Sequence, residues 1–63
     1  MEKLSQKEIG RRISGIRKSK GYSQDDLAKM LHISRPSLTQ IELGNRNLTV
    51  LELNEIAKIF SIS

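Results

Sequence analysis

The sequence contains no cysteine and a single histidine, His32. A disulfide framework, a thiolate metal site, a cysteine nucleophile and a multi-histidine catalytic site are therefore excluded. Aromatic residues are also scarce, since Tyr22 and Phe60 are the only two. No apolar run approaches the ~18 residues that a membrane span needs, and no signal-peptide pattern opens the chain. The composition therefore predicts a protein of the reducing cytoplasm that is not an enzyme, needs no cofactor or metal and has no membrane partner.

Aliphatic residues are abundant, because sixteen of the 63 residues are Leu or Ile. They suffice for a compact core, although a chain of this length buries only about 60% of its unfolded surface. Charged residues make up 29% of the chain, which is typical of a globular protein and not of a disordered tail. We expect one small domain over residues 1–63.

Positive charge exceeds negative charge, with 11 Lys and Arg against 7 Asp and Glu and a net charge of +4. The excess lies near the N-terminus, in a set of seven cations: Lys3, Lys7, Arg11, Arg12, Arg17, Lys18 and Lys20. Such a balance favours a polyanionic partner, most simply nucleic acid. The alternative is a solvated basic face with no such partner, and charge alone does not decide between them.

Capping and spacing patterns predict four short helices and no strand. A Ser or Thr followed three residues later by an acid marks three helix starts, and these pairs are Ser5 and Glu8, Ser23 and Asp26, and Thr49 and Glu52. Ser34, with Pro36 in the following turn, marks a further start. Gly21 and Gly44 are expected to end helices in the left-handed conformation.

Apolar residues at helical spacing predict the inner faces of these helices. They are Ile9, Ile13 and Ile16, then Leu27, Ala28 and Leu31, then Leu38 and Ile41, and finally Leu53, Ile56, Ala57 and Phe60. The expected fold is an all-α bundle of four short helices, with a fifth helix as the alternative. Gly15 lies inside the first helix, where we expect close packing to require it.

The stretch from Ser23 to Arg46 has the spacing of a helix-turn-helix, about residues 23–43. Its sequence, SQDDLAKMLHISRPSLTQIELGNR, resembles the helix-turn-helix of the phage-repressor and Cro (XRE-type) family of DNA-binding regulators. The matching residues are Ser23, Gln24, Leu27, Ala28, Ile33, Ser34, Ile41, Glu42 and Gly44. The resemblance runs from about Ile9 to Ile62. It implies a lambda-repressor-like fold that binds duplex DNA sequence-specifically and regulates transcription, with repression as the expected outcome.

The resemblance also implies which residues contact the bases. In this family the second helix of the motif lies in the major groove and presents its N-terminal residues to base edges. The corresponding residues here are Arg35, Pro36, Ser37, Thr39 and Gln40. Arg35 is suited to a bidentate pair with guanine and Gln40 to one with adenine. Pro36 offers only apolar contact, for example to a thymine methyl group.

Contacts to the DNA backbone are implied for residues on either side of that helix. They are Ser23, Gln24, Asn45, Arg46, Asn47 and Arg17. Gln24 begins the first helix of the motif, where free backbone N–H groups attract phosphate. Arg17 and Glu42 stand at two positions that form an ion pair in the family, so we also expect them to pair here.

Three positions depart from the family pattern. His32 stands where Gly is usual, and we expect it to adopt a positive φ at a cost of roughly 1 kcal/mol. Leu43 stands where a polar residue is more usual, which removes one phosphate contact. The chain stops at Ser63, before the fifth helix that commonly joins two copies, so we expect a truncated or unusually short domain.

The expected partner is a palindromic operator in double-stranded DNA, bound by a homodimer. Two other functions remain open. One is an antitoxin-type regulator that binds both an operator and a protein partner. The other is a protein-interaction adaptor whose helix-turn-helix no longer reads bases.

Overall fold

The computed structural model describes residues 5–61 and contains four α-helices in that range. They are α1 (Gln6–Ser19), α2 (Gln24–Leu31), α3 (Arg35–Leu43) and α4 (Val50–Phe60). Between residues 5 and 61 no strand occurs, so the prediction of an all-α fold is confirmed. The expectation of a truncated end concerns Ile62 and Ser63, which lie outside the described residues.

Each helix begins at the residue that the capping pattern predicts. Ser5, Ser23, Ser34 and Thr49 each accept a hydrogen bond from the backbone N–H three residues later. The boxes opened by Ser23 and Thr49 are complete, because the third residue of the helix also accepts from the cap's own N–H. The box of α1 is formed on one side only: Ser5 accepts from the Glu8 N–H, whereas the Glu8 carboxylate lies 3.6 Å from Arg11.

Left-handed residues follow the helices, as the glycine positions predict. Gly21 has φ 79° and Gly44 has φ 84°. His32 has φ 58°, so its expected role as a turn residue is confirmed. Ser61 also adopts a left-handed conformation, with φ 55°. A positive φ at this serine was not predicted from the sequence.

The core draws on all four helices. Its buried residues are Ile13, Leu27, Ala28, Leu31, Leu38, Ile41, Ile56 and Phe60. The prediction that Leu53 belongs to this inner face is wrong, since Leu53 is 53% exposed. It borders an open groove of about 460 Å³ between α1 and α4, which Ile9, Ile16 and Leu48 also line.

The contact between α1 and α3 depends on a glycine that sequence reasoning missed. A Cβ atom on Gly10 would lie 2.6 Å from the backbone oxygen of Glu42, so only glycine lets α1 cross the end of α3 so closely. The expectation for Gly15 is wrong, because a Cβ atom there would meet nothing within 4 Å. Of the two glycines in α1, close packing requires only Gly10.

The helices formed by residues 5–61 are too short and too polar for any of them to cross a membrane.

Candidate nucleic-acid interface

The helix-turn-helix consists of α2, a three-residue connection and α3. Two hydrogen bonds to the end of α2 close the turn, from His32 N–H to Lys29 O (3.1 Å) and from Ile33 N–H to Ala28 O (3.0 Å). Leu27 and Leu38 are fully buried in the core that the two helices share. The inner side of α3 therefore packs against the core, and the polar side chains of α3 lie on its outer side.

The residues expected to contact bases lie on this outer side of α3. Arg35, Pro36 and Gln40 are exposed, whereas Ser37 and Thr39 are half-buried. The Ser37 backbone N–H donates to the Ser34 hydroxyl oxygen at 3.2 Å, and the two hydroxyl groups lie 3.1 Å apart. Ser37 therefore contributes to the cap of α3 as well as to its outer face.

The Arg35 guanidinium is weakly held by α2. Its Nη1 lies 3.8 Å from a carboxylate oxygen of Asp25, and both side chains are about 60% exposed (61% and 60%). An exposed pair of this length contributes well under 1 kcal/mol. The contact therefore leaves the Arg35 guanidinium available to bind another group.

Gln40 and Asn45 are joined directly. Asn45 Nδ2 donates to Gln40 Oε1 at 3.1 Å, and Asn45 N–H donates to the Gln40 carbonyl at 2.9 Å. Both side chains are exposed, as is that of Asn47 in the same loop. A residue expected to contact a base thus shares a hydrogen bond with one expected to contact the DNA backbone.

Arg17 and Glu42, which the resemblance pairs, do lie together in the structure. Arg17 Nε donates to one carboxylate oxygen of Glu42 at 2.7 Å and Nη2 to the other at 3.1 Å. Arg17 Nη1 donates to the Tyr22 carbonyl at 2.9 Å. Because Arg17 is only 7% exposed, its expected contact with the DNA backbone stays a prediction and is not part of the function proposed below. Its guanidinium lies inside the protein and ties α1 to the end of α3.

Gln24 extends this buried network to the outer face of α3. Its Nε2 donates to Glu42 Oε1 at 3.0 Å, and its Oε1 accepts from the Thr39 hydroxyl at 3.2 Å. The Gln24 side chain is therefore turned towards α3. What it offers to a ligand from the first turn of α2 is mainly the backbone N–H, which has no partner within the helix.

The Arg46 side chain is already paired. Its Nη2 and Nη1 donate to the two carboxylate oxygens of Glu52 at 2.8 and 3.0 Å. Glu52 also accepts from the Thr49 N–H at 3.0 Å. These hydrogen bonds lower the pKa of Glu52 below its ordinary value, chiefly through Arg46, and raise the pKa of Arg46. Sequence reasoning missed this pair, although the predicted capping box had already placed Glu52 near the loop.

The comparisons with known proteins agree with this geometry. A family model described as "Helix-turn-helix" matches residues 13–63. The uncharacterised HTH-type transcriptional regulator YazB of Bacillus subtilis is 44% identical over 54 residues, which is 86% of this chain and 78% of that protein. The HTH-type transcriptional regulator RamB of Mycobacterium tuberculosis is 41% identical over 59 residues, covering 94% of this chain. The chain spans only 12% of the length of RamB.

A solved structure shares the arrangement of the helices. The restriction-modification controller protein C.AhdI from Aeromonas hydrophila superposes with a TM-score of 0.85 and 28% identity, over 92% of this chain and 88% of that one. The matched family model covers the second half of α1, the helix-turn-helix and α4. The chain therefore belongs to the helix-turn-helix family of DNA-binding transcriptional regulators.

Proposed function

We propose that the chain binds a specific duplex DNA sequence in the cytoplasm and represses transcription there, without a cofactor and without catalysing a reaction. The observation that carries this proposal is the outer face of α3. Its inner side is held by the core and by the network around Glu42, while Arg35, Pro36 and Gln40 remain exposed. A rigid helix with unburied hydrogen-bonding side chains is suited to the major groove.

In this proposal the residues of α3 divide by the chemistry of the base edge. Arg35 forms two hydrogen bonds to guanine and Gln40 forms two to adenine, while Pro36 contacts a thymine methyl group. Ser37 and Thr39, which are half-buried, contact the bases beside them. Because the contact with Asp25 is weak, the Arg35 guanidinium leaves it to pair with guanine.

Backbone contacts come from the two ends of the motif. At one end, Gln24 offers its free backbone N–H in the first turn of α2 to a phosphate. Ser23 offers its hydroxyl group to the same phosphate, because its own N–H already donates to Asp26. At the other end, Asn45 and Asn47 lie along the sugar-phosphate chain. Such contacts fix the register of the protein on DNA without reading sequence.

Repression follows if the bound protein excludes other proteins from the same site. A relative that supports this part of the proposal is the competence pilus inhibition repressor of Acinetobacter baylyi, which is 34% identical over 56 residues, covering 89% of this chain and 51% of that protein. We further propose that two copies bind a palindrome as a homodimer, with half-sites about 34 Å apart. Sedimentation of the complex with one or two half-sites measures this stoichiometry.

The test is selection of duplexes from a random library, followed by titration of the selected site. We expect Arg35→Ala and Gln40→Ala each to lose about 1–3 kcal/mol of discrimination at one base pair while retaining binding to unrelated duplex. Lys18→Ala serves as a control, because it removes a positive charge from the exposed side of α1. If Arg35→Ala weakened all sequences equally, its placement at a base edge would be wrong.

The dependence of binding on salt tests the proposal more broadly. Each phosphate contact releases counterions, so affinity should fall steeply as salt increases. Salt-independent binding, or no binding at low salt, would exclude the DNA-binding function and favour an adaptor that binds protein.

A further inference from the structure

The first turn of α1 lies on the loop that follows α3. A Cβ atom on Gly44 would lie 2.6 Å from Lys7 Cγ and 2.7 Å from Lys7 Cα. The lysine stem therefore occupies the space that a side chain at position 44 would need. Asn45, which we propose as a backbone contact, is the next residue in the chain. Lys7 is thus brought to the edge of the proposed DNA surface from an element outside the helix-turn-helix.

The charge of Lys7 is not used by the part of the protein that the structure describes. Lys7 is exposed, and none of the ion pairs among residues 5–61 includes it. The last turn of α3 contains no basic residue of its own. The cation of the loop itself, Arg46, is held by both carboxylate oxygens of Glu52.

From these contacts we propose that Lys7 binds a DNA phosphate beside the one that Asn45 contacts, and that Arg46 positions the loop without binding phosphate. This inference rests on the proposed DNA-binding function. The ammonium group of Lys7 supplies the positive charge, and its packed stem limits where that charge is placed. The Arg46–Glu52 pair fixes the loop to the first turn of α4, so that Asn45 and Lys7 face the same strand.

The salt dependence of binding separates these two roles. Lys7→Gln removes the charge while retaining much of the stem, and we expect it to reduce the slope of log K against log[salt] by about one unit. Its deficit in affinity should therefore shrink about 3–4-fold between 50 and 200 mM salt. Lys7→Arg should restore the slope. Arg46→Gln should weaken binding with an unchanged slope.

The matched control is Lys58→Gln. Lys58 is an exposed lysine on α4, 3.7 Å from Glu55 and outside the proposed surface, and its substitution changes the net charge by the same amount. We expect it to retain the wild-type slope. A denaturant midpoint for each variant shows whether any loss of affinity reflects unfolding.

Neutral methylphosphonate linkages, placed one at a time in the selected duplex, locate the contact. One neutral linkage should weaken binding of the wild-type protein but not of Lys7→Gln. A neighbouring linkage should weaken binding of the wild-type protein but not of Asn45→Ala. A wild-type slope for Lys7→Gln, or a lowered midpoint with no change in slope, overturns the inference and leaves the DNA-binding function standing. Failure of the wild-type protein to bind any duplex overturns both.

Discussion

Arg17 is a buried charge beside the apolar core. Taking a guanidinium out of water is costly unless a carboxylate and further acceptors replace the water, and here Glu42 and the Tyr22 carbonyl do so. Removing one partner leaves the other charge buried alone. We expect Arg17→Ala to lower the free energy of unfolding by about 3–5 kcal/mol.

Denaturant titrations of Arg17→Ala, Glu42→Ala and the double variant measure the coupling between the two side chains. The exposed pair of Glu8 and Arg11, 3.6 Å apart, is the control, and its coupling should be a few tenths of a kcal/mol. Equal coupling energies for the buried and exposed pairs would contradict the buried role of Arg17.

The two glycines inside α1 predict opposite effects of the same substitution. Gly15→Ala should stabilise the protein by about 1 kcal/mol, because alanine is the better helix former and nothing obstructs its methyl group. Gly10→Ala should destabilise it by roughly 1–3 kcal/mol, since the methyl group would meet the backbone oxygen of Glu42. Thermal unfolding of both variants measures this difference, and a stabilising Gly10→Ala would show that α1 can move away from α3.

These residues also show what the sequence could and could not predict. Helix starts at Ser23 and Thr49 and the positive φ of His32 follow from local chemistry, and they were predicted correctly. The roles of Gly10 and Gly15 depend on which turn of α1 crosses α3, and periodicity does not contain that information. The same limit applies to Leu53, because hydrophobic spacing gives the face of a helix but not how far its neighbours cover that face.

Hydrogen bonds of charged side chains connect the start of α4 to the preceding loop. Glu52 accepts from Arg46 and from the Thr49 N–H, and its pKa lies below the ordinary value of 4.5. The unfolded chain therefore binds a proton at Glu52 more readily than the folded chain does. The stabilisation of the folded protein by ionised Glu52 is complete above about pH 4.5. It is lost as the pH falls from there through the folded-state pKa of Glu52.

Glu52→Gln removes this titration while retaining an acceptor for the Thr49 N–H. We expect the variant to be less stable than the wild-type protein at neutral pH, and its stability to fall less steeply as the pH drops below about 4.5. Urea midpoints across that pH range provide the measurement. Glu55→Gln, on the same helix, is the control for a changed charge at an exposed pair. Parallel pH profiles for Glu52→Gln and the wild-type protein would contradict the assignment.

DNA is expected to act as a stabilising ligand of this small domain. A ligand that binds only the folded state at 100 times its Kd adds about 2.7 kcal/mol. For a domain of this size that corresponds to a rise in Tm of about 10–20 °C. Because the chain has a net charge of +4, added salt should reduce the rise by weakening binding.

Thermal unfolding with the selected duplex, with a scrambled duplex and without DNA measures this effect. The scrambled duplex should raise the Tm less than the selected one at the same salt concentration. An equal rise with both duplexes would mean that the protein binds DNA without reading its sequence.

The hydrogen bond between Gln40 and Asn45 bears on how the sequence preference of such a domain can be re-engineered. In the proposed complex, a new amino acid at position 40 alters the base that is read, and it also removes the side-chain amide to which Asn45 donates. In that complex, the sequence preference and the register of the protein on DNA are therefore coupled through this hydrogen bond. Libraries intended to redirect it to a new operator should randomise positions 40 and 45 together, because single exchanges at position 40 will sacrifice affinity along with the original preference.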